Sequence, residues 1–320
     1  MKPTHLALKA IQRAYTTVLG RAEVPKPVCE NDPDIVAAWI TELLTDSSPR
    51  MIARFGANEL ACVANRVAMR TSNRSILGFV RGDTPAWWRN TPIERQMLEV
   101  AGFFPITNEA LDRFCDHMLK CIPLVDLLGS WLPQETLFAD QMGHTKNVGL
   151  ELLNPYFSKV PWTRALAGKR VLVVHPFAST IQAQYKKREL IFPCGLLPEF
   201  ELITLKAVQS VSGNCEAFGT WFEALESMES AMDAIPYDIA LIGCGAYGFP
   251  LAAHAKRVGK KAFHLGGSLQ LLFGIRGKRW EKTDYNPIYN YSRLMNRHWV
   301  RPSEEETPSA ADKVEGATYW

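Results

Sequence analysis

Gly243-Cys244-Gly245-Ala246-Tyr247-Gly248 follows an apolar run, residues 238–242, and precedes a helical stretch, residues 249–258. A Gly-x-Gly-x-x-Gly turn between strand and helix lets backbone N–H groups and the positive helix end approach a phosphate. A dinucleotide site also wants an acidic residue at the end of the next strand, to hold a ribose. Here that strand ends His264-Leu265-Gly266-Gly267, with no carboxylate. The turn therefore points to a nucleotide or a sugar diphosphate, with NAD not expected; a purely structural tight turn is the other explanation. Gly266-Gly267-Ser268 makes a second glycine turn before another helix. Arg276, Lys278 and Arg279 follow, interleaved with glycines. They are either an anion site or solvated surface charge.

Two further junctions carry polar groups. His175-Pro176-Phe177-Ala178-Ser179-Thr180 ends an apolar strand, residues 170–174. Ser179 or Thr180 can cap the next helix, and His175 can hydrogen-bond a phosphate or hydroxyl. Arg54-Phe55-Gly56-Ala57-Asn58-Glu59 joins another strand to another helix. Glu59 falls in the first helical turn, where the dipole favours a carboxylate; it can equally bind a divalent metal or a sugar or ribose hydroxyl. No Gly-x-Ser-x-Gly elbow is present, so a Ser/His/acid hydrolase is not expected.

These groups need strands and helices to bring them together. Helical periodicity is read over residues 4–20, 34–44, 59–70, 94–101, 108–121, 180–192, 221–235 and 249–258. In the first of these, Leu6, Ala10, Ile11, Tyr15 and Leu19 share one stripe. It packs on the body of the protein, or lies on an anionic membrane surface as basic amphipathic helices do. Strands are read over residues 51–55, 123–128, 170–174, 200–208, 238–242 and 261–265. Their apolar runs suit strands buried on both faces. Strand and helix alternate, which predicts an α/β fold: a Rossmann-like, mostly parallel sheet with helices on both faces. Three segments are expected, residues 1–160, 161–285 and a C-terminal wrap, 286–320, in one compact unit. The wrap is predicted to be ordered because Trp299, Tyr319 and Trp320 are costly to leave in water.

Hydrophobic residues make up 47% of the 320, which excludes wholesale disorder. A net charge of +3 argues against a nucleic-acid binder. The seven cysteines are odd in number and have no Cys-x-x-Cys spacing, so neither a disulfide framework nor a structural zinc site is expected. A reducing compartment follows. The N-terminus lacks the apolar core of a signal peptide, and no run is long enough to span a bilayer. A cytoplasmic protein is expected, with peripheral contact at the inner membrane face through residues 4–20 as an added option.

With these segments in place, the chain resembles bacterial sugar transferases of the GT-D fold class. Those carry an early Arg-aromatic-Gly-Asp-Gly-Glu segment, a late strand with a Gly-rich turn and helix, and a strand ending near Gly-Gly. The counterparts here are residues 54–59, 239–253 and 262–268. His-Pro-Phe, Leu-Gly-Gly and Gly-Lys-Arg-Trp segments are also similar to those of bacterial surface-polysaccharide proteins. The resemblance implies a nucleotide-diphosphate sugar donor, a saccharide or lipid-linked saccharide acceptor, and an Asp-x-Glu pair. The Asp position is Ala57, so Mn2+ or Mg2+ would have Glu59 alone and need another ligand. Otherwise arginines and lysines stabilise the leaving diphosphate. The donor contacts implied are Arg54, Gly56, Asn58, His175, Ser179, Gly243, Gly245, Tyr247, Gly248, Gly266, Gly267, Arg276, Lys278 and Arg279. Glu59 and Glu135 are the candidate catalytic acids. Glu135 is chosen for its neighbour Trp131, a possible sugar-stacking ring, as a base for the acceptor hydroxyl in an inverting reaction. The alternatives are an NAD-dependent oxidoreductase and a non-catalytic nucleotide-sugar-binding protein.

Overall fold

A computed structural model describes residues 3–20, 24–72, 74–210, 215, 217–308 and 316–320. Seven parallel strands form one sheet: β1 (Arg50–Ala53), β2 (Leu127–Ser130), β3 (Lys146–Gly149), β4 (Arg170–His175), β5 (Glu201–Lys206), β6 (Ile239–Ile242) and β7 (Lys261–His264). Their order is β3-β2-β1-β7-β6-β4-β5. Every adjacent pair is parallel. The first half of the chain thus supplies β1–β3 and the second half β4–β7 of a single sheet.

Alternation along the strands fills two cores, one on each face. Met51, Ala53, Leu128, Leu172, Val174, Ala240, Ile242 and Ala262 face one side. Ile52, Leu127, Val171, Val173, Ile239, Leu241 and Phe263 face the other. All are at most 1% exposed, which is why the strands read as unbroken apolar runs.

The helices that follow the strands decide where a crevice can open. α3 (Ala57–Arg70) follows β1 and α10 (Gly248–Arg257) follows β6; both pack on the first face. α7 (Ala178–Tyr185) follows β4, and α11 (Leu269–Leu272) follows β7; both pack on the second face. In the order β1-β7-β6-β4, neighbouring strands therefore send their chains to opposite faces. Their carboxyl ends splay apart, the geometry in which open α/β sheets bind ligands.

The remaining helices are α1 (Pro3–Leu19), α2 (Pro33–Thr45), α4 (Ile76–Arg81), α5 (Thr91–Glu99), α6 (Asn108–Cys121), α8 (Arg188–Ile191), α9 (Trp221–Asp233) and α12 (Lys278–Glu281). Among the described residues no helix is long and apolar enough to cross a membrane. Three expectations shift and one strand, β3, was not expected. The single helix over residues 180–192 is two, because the Tyr185 hydroxyl is anchored to Phe200 across the fold and the chain steps between α7 and α8. The strand expected at 123–128 starts four residues later. Ile122–Leu124 first completes a tight helical turn, and the Asp126 carboxylate then accepts from Met51 N–H and Lys256. Edge strand β3 is too short and exposed for periodicity to show, Val148 being its one buried residue. Finally, α1 does not dock through the expected stripe. Gln12 donates to Phe79 O (2.6 Å) and His5 stacks on Trp88 (4.4 Å), turning Leu6 and Ile11 outward. Polar and aromatic anchors of this kind have no weight in a hydrophobic periodicity.

The described residues of the C-terminal segment bring aromatic side chains onto the body of the protein. Trp299 is 3% exposed. Tyr319 and Trp320 pack against the second core.

Candidate functional site

A cavity of about 300 Å³ lies at the splayed carboxyl ends of β1, β7, β6 and β4. That volume is at the low end for small-molecule sites, about 300–1,000 Å³. Eleven of the expected residues line it: Arg54, Gly56, Asn58, Glu59, His175, Gly243, Gly245, Tyr247, Gly266, Gly267 and Arg279. The glycines permit close approach. A Cβ at Gly243 would sit 2.6 Å from Gly266 O and 2.9 Å from the His175 ring, so the ends of β4, β6 and β7 meet only because that position is bare. Gly245 (φ +55°) and Gly266 (φ +65°) adopt left-handed backbone that side chains disfavour.

Arg54 follows β1 and crosses the Gly266 turn, 3.3 Å from where a Cβ there would stand. Its guanidinium lies over the Trp131 ring at 5.0 Å. Among the described residues it has no hydrogen bond and no acid within ion-pair distance. Burial pulls its pKa below the usual arginine value. A half-buried cation with Glu59 near but not in ion-pair contact has donors to spare, and an anionic ligand would engage them. Arg279, held by Thr318 O at its backbone N–H, lies over Tyr319 at 5.1 Å and completes a cationic wall.

Two neutral histidines present opposite polarity. Phe177 N–H donates to His175 Nδ1 (3.0 Å), so the His175 proton is on Nε2. His264 Nδ1 meets the Ile242 carbonyl (3.2 Å), which only accepts, so His264 Nε2 is left as an acceptor. Burial lowers both pKa values to about 3, in His264 with help from Arg54. Neither ring carries charge at neutral pH.

Among the described residues two carboxylates line the cavity. Glu59 folds back over the start of α3, its Oε2 only 2.0 Å from the position of a Cβ on Gly56. Burial raises its pKa, while its own backbone N–H and Arg54 pull the other way. Glu151 was not foreseen. It sits in a 3-10 turn, Leu150–Leu153, with no periodic pattern to mark it. Tyr291 donates its hydroxyl to Glu151 and accepts from Asn154 Nδ2 (2.9 Å). Burial raises the Glu151 pKa; Tyr291, Asn286, Arg54 and Arg279 moderate it. Among the described residues no three His, Cys, Asp or Glu gather as a metal site. With Arg54 beside Glu59 and Ala57 in the Asp position, the described side chains alone do not make a dication site.

Five expected residues lie elsewhere. Glu135 is fully buried behind the cavity, and its oxygens accept from Ser130 Oγ, Trp131 N–H (3.1 Å) and Leu132 N–H (3.0 Å). With its lone pairs so engaged it is not placed to take a substrate proton. It holds the loop that presents Trp131, whose own Nε1 donates to Phe55 O (3.0 Å). Ser179 is exposed, and its N–H donates to Glu306 (2.7 Å), which occupies the start of α7. Gly248 packs on the His264 ring, where a Cβ would be 2.1 Å from Cε1. Arg276 and Lys278 are exposed outside the lining, Arg276 pairing with Glu281. Tyr285, just before the wrap, and Tyr319 and Trp320 within it were missed as site residues and line the cavity. Tyr319 lies on Gly267 and its carbonyl accepts from Gln270 (3.0 Å). A tyrosine fitted to a bare glycine fifty residues away has no local sequence signal.

No protein-family profile, curated protein or solved structure is significantly similar to this chain.

Proposed function

We propose that this protein is a glycosyltransferase using a nucleotide-diphosphate sugar, working on the cytoplasmic side in bacterial surface-polysaccharide or glycoconjugate assembly. The observation that carries the proposal is Arg54: a half-buried guanidinium, with no acid within ion-pair distance among the described residues, laid across a glycine turn in a cavity at the splayed strand ends. A diphosphate fits this setting. Arg54 and Arg279 supply charge, Gly243–Gly248 and Gly266–Gly267 let the backbone approach, and His175 Nε2–H donates one more hydrogen bond. Trp131 and Tyr319 offer apolar faces to a sugar or base.

In transfer, the bond between the sugar anomeric carbon and the diphosphate oxygen breaks as the acceptor oxygen bonds to that carbon. The leaving diphosphate gains charge, which the fixed cations and N–H groups stabilise. The acceptor hydroxyl must lose its proton. Glu151 takes over the role expected of Glu135, because it lines the cavity and burial raises its pKa above the ordinary carboxylate value, which strengthens it as a base. No step is assigned to a metal. The missing ribose carboxylate after β7 weighs against NAD.

Incubation of the purified protein with nucleotide-diphosphate sugars tests the enzyme reading. Release of nucleoside diphosphate, lost in Arg54→Met, is expected. Tight binding without any donor turnover, in water or with saccharide acceptors, would leave a binding protein instead.

A further inference from the structure

We propose that α1 and α4 form a docking surface for an anionic lipid bilayer, an inference independent of the chemistry of the cavity. α1 contributes no buried residue to the fold. One side of it is tied down: Gln12 bonds Phe79 O, His5 stacks on Trp88, and Leu8 packs on the small cluster of Phe79, Ala86 and Trp88. Away from these contacts the two helices expose aliphatic side chains. Leu6 is 55% exposed, Ile11 53%, Val18 80% and Leu19 69%, and α4 adds Ile76 at 59% and Leu77 at 62%. Single exposed aliphatic side chains are ordinary, but six on two adjoining helices are a patch that calls for a partner.

Charge chooses the partner. Neither α1 nor α4 contains an acidic residue, whereas Lys9 and Arg13 lie on α1, Arg81 ends α4 and Arg74 precedes it. Asp83 answers Arg81 alone, at 3.8 Å. A second copy of the chain applied face to face would set these cations against each other with no carboxylate on either helix between them. An anionic headgroup layer supplies the opposite charge, and its acyl boundary takes the aliphatic side chains, as in interfacial amphipathic helices. The half-exposed Trp87, packed edge-on against Trp88, lies beside this surface.

The test is flotation of the full chain with phosphatidylcholine vesicles, with and without phosphatidylglycerol. Binding to the mixed vesicles alone, weakened by salt, is expected. Ile11→Glu with Val18→Glu places charge at open positions, so melting should hold while the vesicle-bound fraction falls at least ~10-fold, the insertion area being lost. Arg13→Gln should weaken binding and reduce its salt dependence. Binding that is absent at low salt, or indifferent to these changes, overturns the proposal. So does a dimer in solution that Ile11→Glu with Val18→Glu dissociates, for then a second copy covers the patch.

Discussion

Replacing Arg54 with Met separates a ligand-binding cation from a structural one. Arg54 makes no hydrogen bond or ion pair among the described residues, so its removal breaks none. What is lost is the stacking over Trp131 at 5.0 Å, worth about 0.5–1 kcal/mol. What is gained is relief from partly desolvating a charge that makes no ion pair among the described residues, a cost of comparable size. The melting temperature of Arg54→Met should therefore stay level or rise by about 2 °C. Ligand binding should respond in the opposite sense. Two charge-assisted hydrogen bonds to a diphosphate, at about 1.5–3 kcal/mol each, give at least about 3 kcal/mol, or about 100-fold in Kd. Differential scanning calorimetry reads the first quantity and titration calorimetry with nucleoside diphosphates the second. A variant that melts several degrees lower and binds like the parent would refute the reasoning, since Arg54 would then be a structural strut.

Glu151→Gln should cut sugar transfer at least ~100-fold while leaving nucleoside diphosphate affinity and melting unchanged; equal loss of binding would remove Glu151 as the base. Glu135→Gln should instead lower stability by about 1–3 kcal/mol, because the amide cannot accept all of the Ser130, Trp131 and Leu132 bonds, with turnover per folded molecule retained. Gly248→Ala must displace the His264 ring and should cost about 1–3 kcal/mol in chemical unfolding, whereas an unchanged midpoint would contradict the packing. His175 and His264 have folded pKa values of about 3, below an unfolded value of about 6.5. Their contribution is thus full above pH 6.5 and is lost as pH falls towards 3. By pH 5 the two together should have lost up to about 4 kcal/mol of stability, and His175→Asn should flatten that slope by about one proton.

The strand ends were legible because each pairs a buried apolar run with glycines or charged residues, a local pattern. Gly243–Gly248, Gly266–Gly267, His175 and Arg54 could be assigned to one sheet edge before their neighbours were known. Direction within a loop was not legible. Trp131 and Glu135 are four residues apart, yet the ring faces the cavity and the carboxylate turns inward to three local donors. Arg276, Lys278 and Arg279 look equivalent in sequence, but only Arg279 turns to the site; the other two point to solvent. Glu151, Tyr291 and Tyr319 come together across about 140 to 170 positions, and no periodicity encodes such a meeting. The second-face helices were harder than the first-face ones. α11 and α12 span four residues each, too few for a repeat to register.

The central claim, a diphosphate held by Arg54 and Arg279 in the cavity at the strand ends, is tested most directly by titration calorimetry. Nucleoside diphosphates and NAD would each be titrated into the unmodified protein and into Arg54→Met. The account predicts a nucleoside diphosphate signal that Arg54→Met weakens about 100-fold, and no signal for NAD. Saturable NAD binding with none for any nucleoside diphosphate would contradict it.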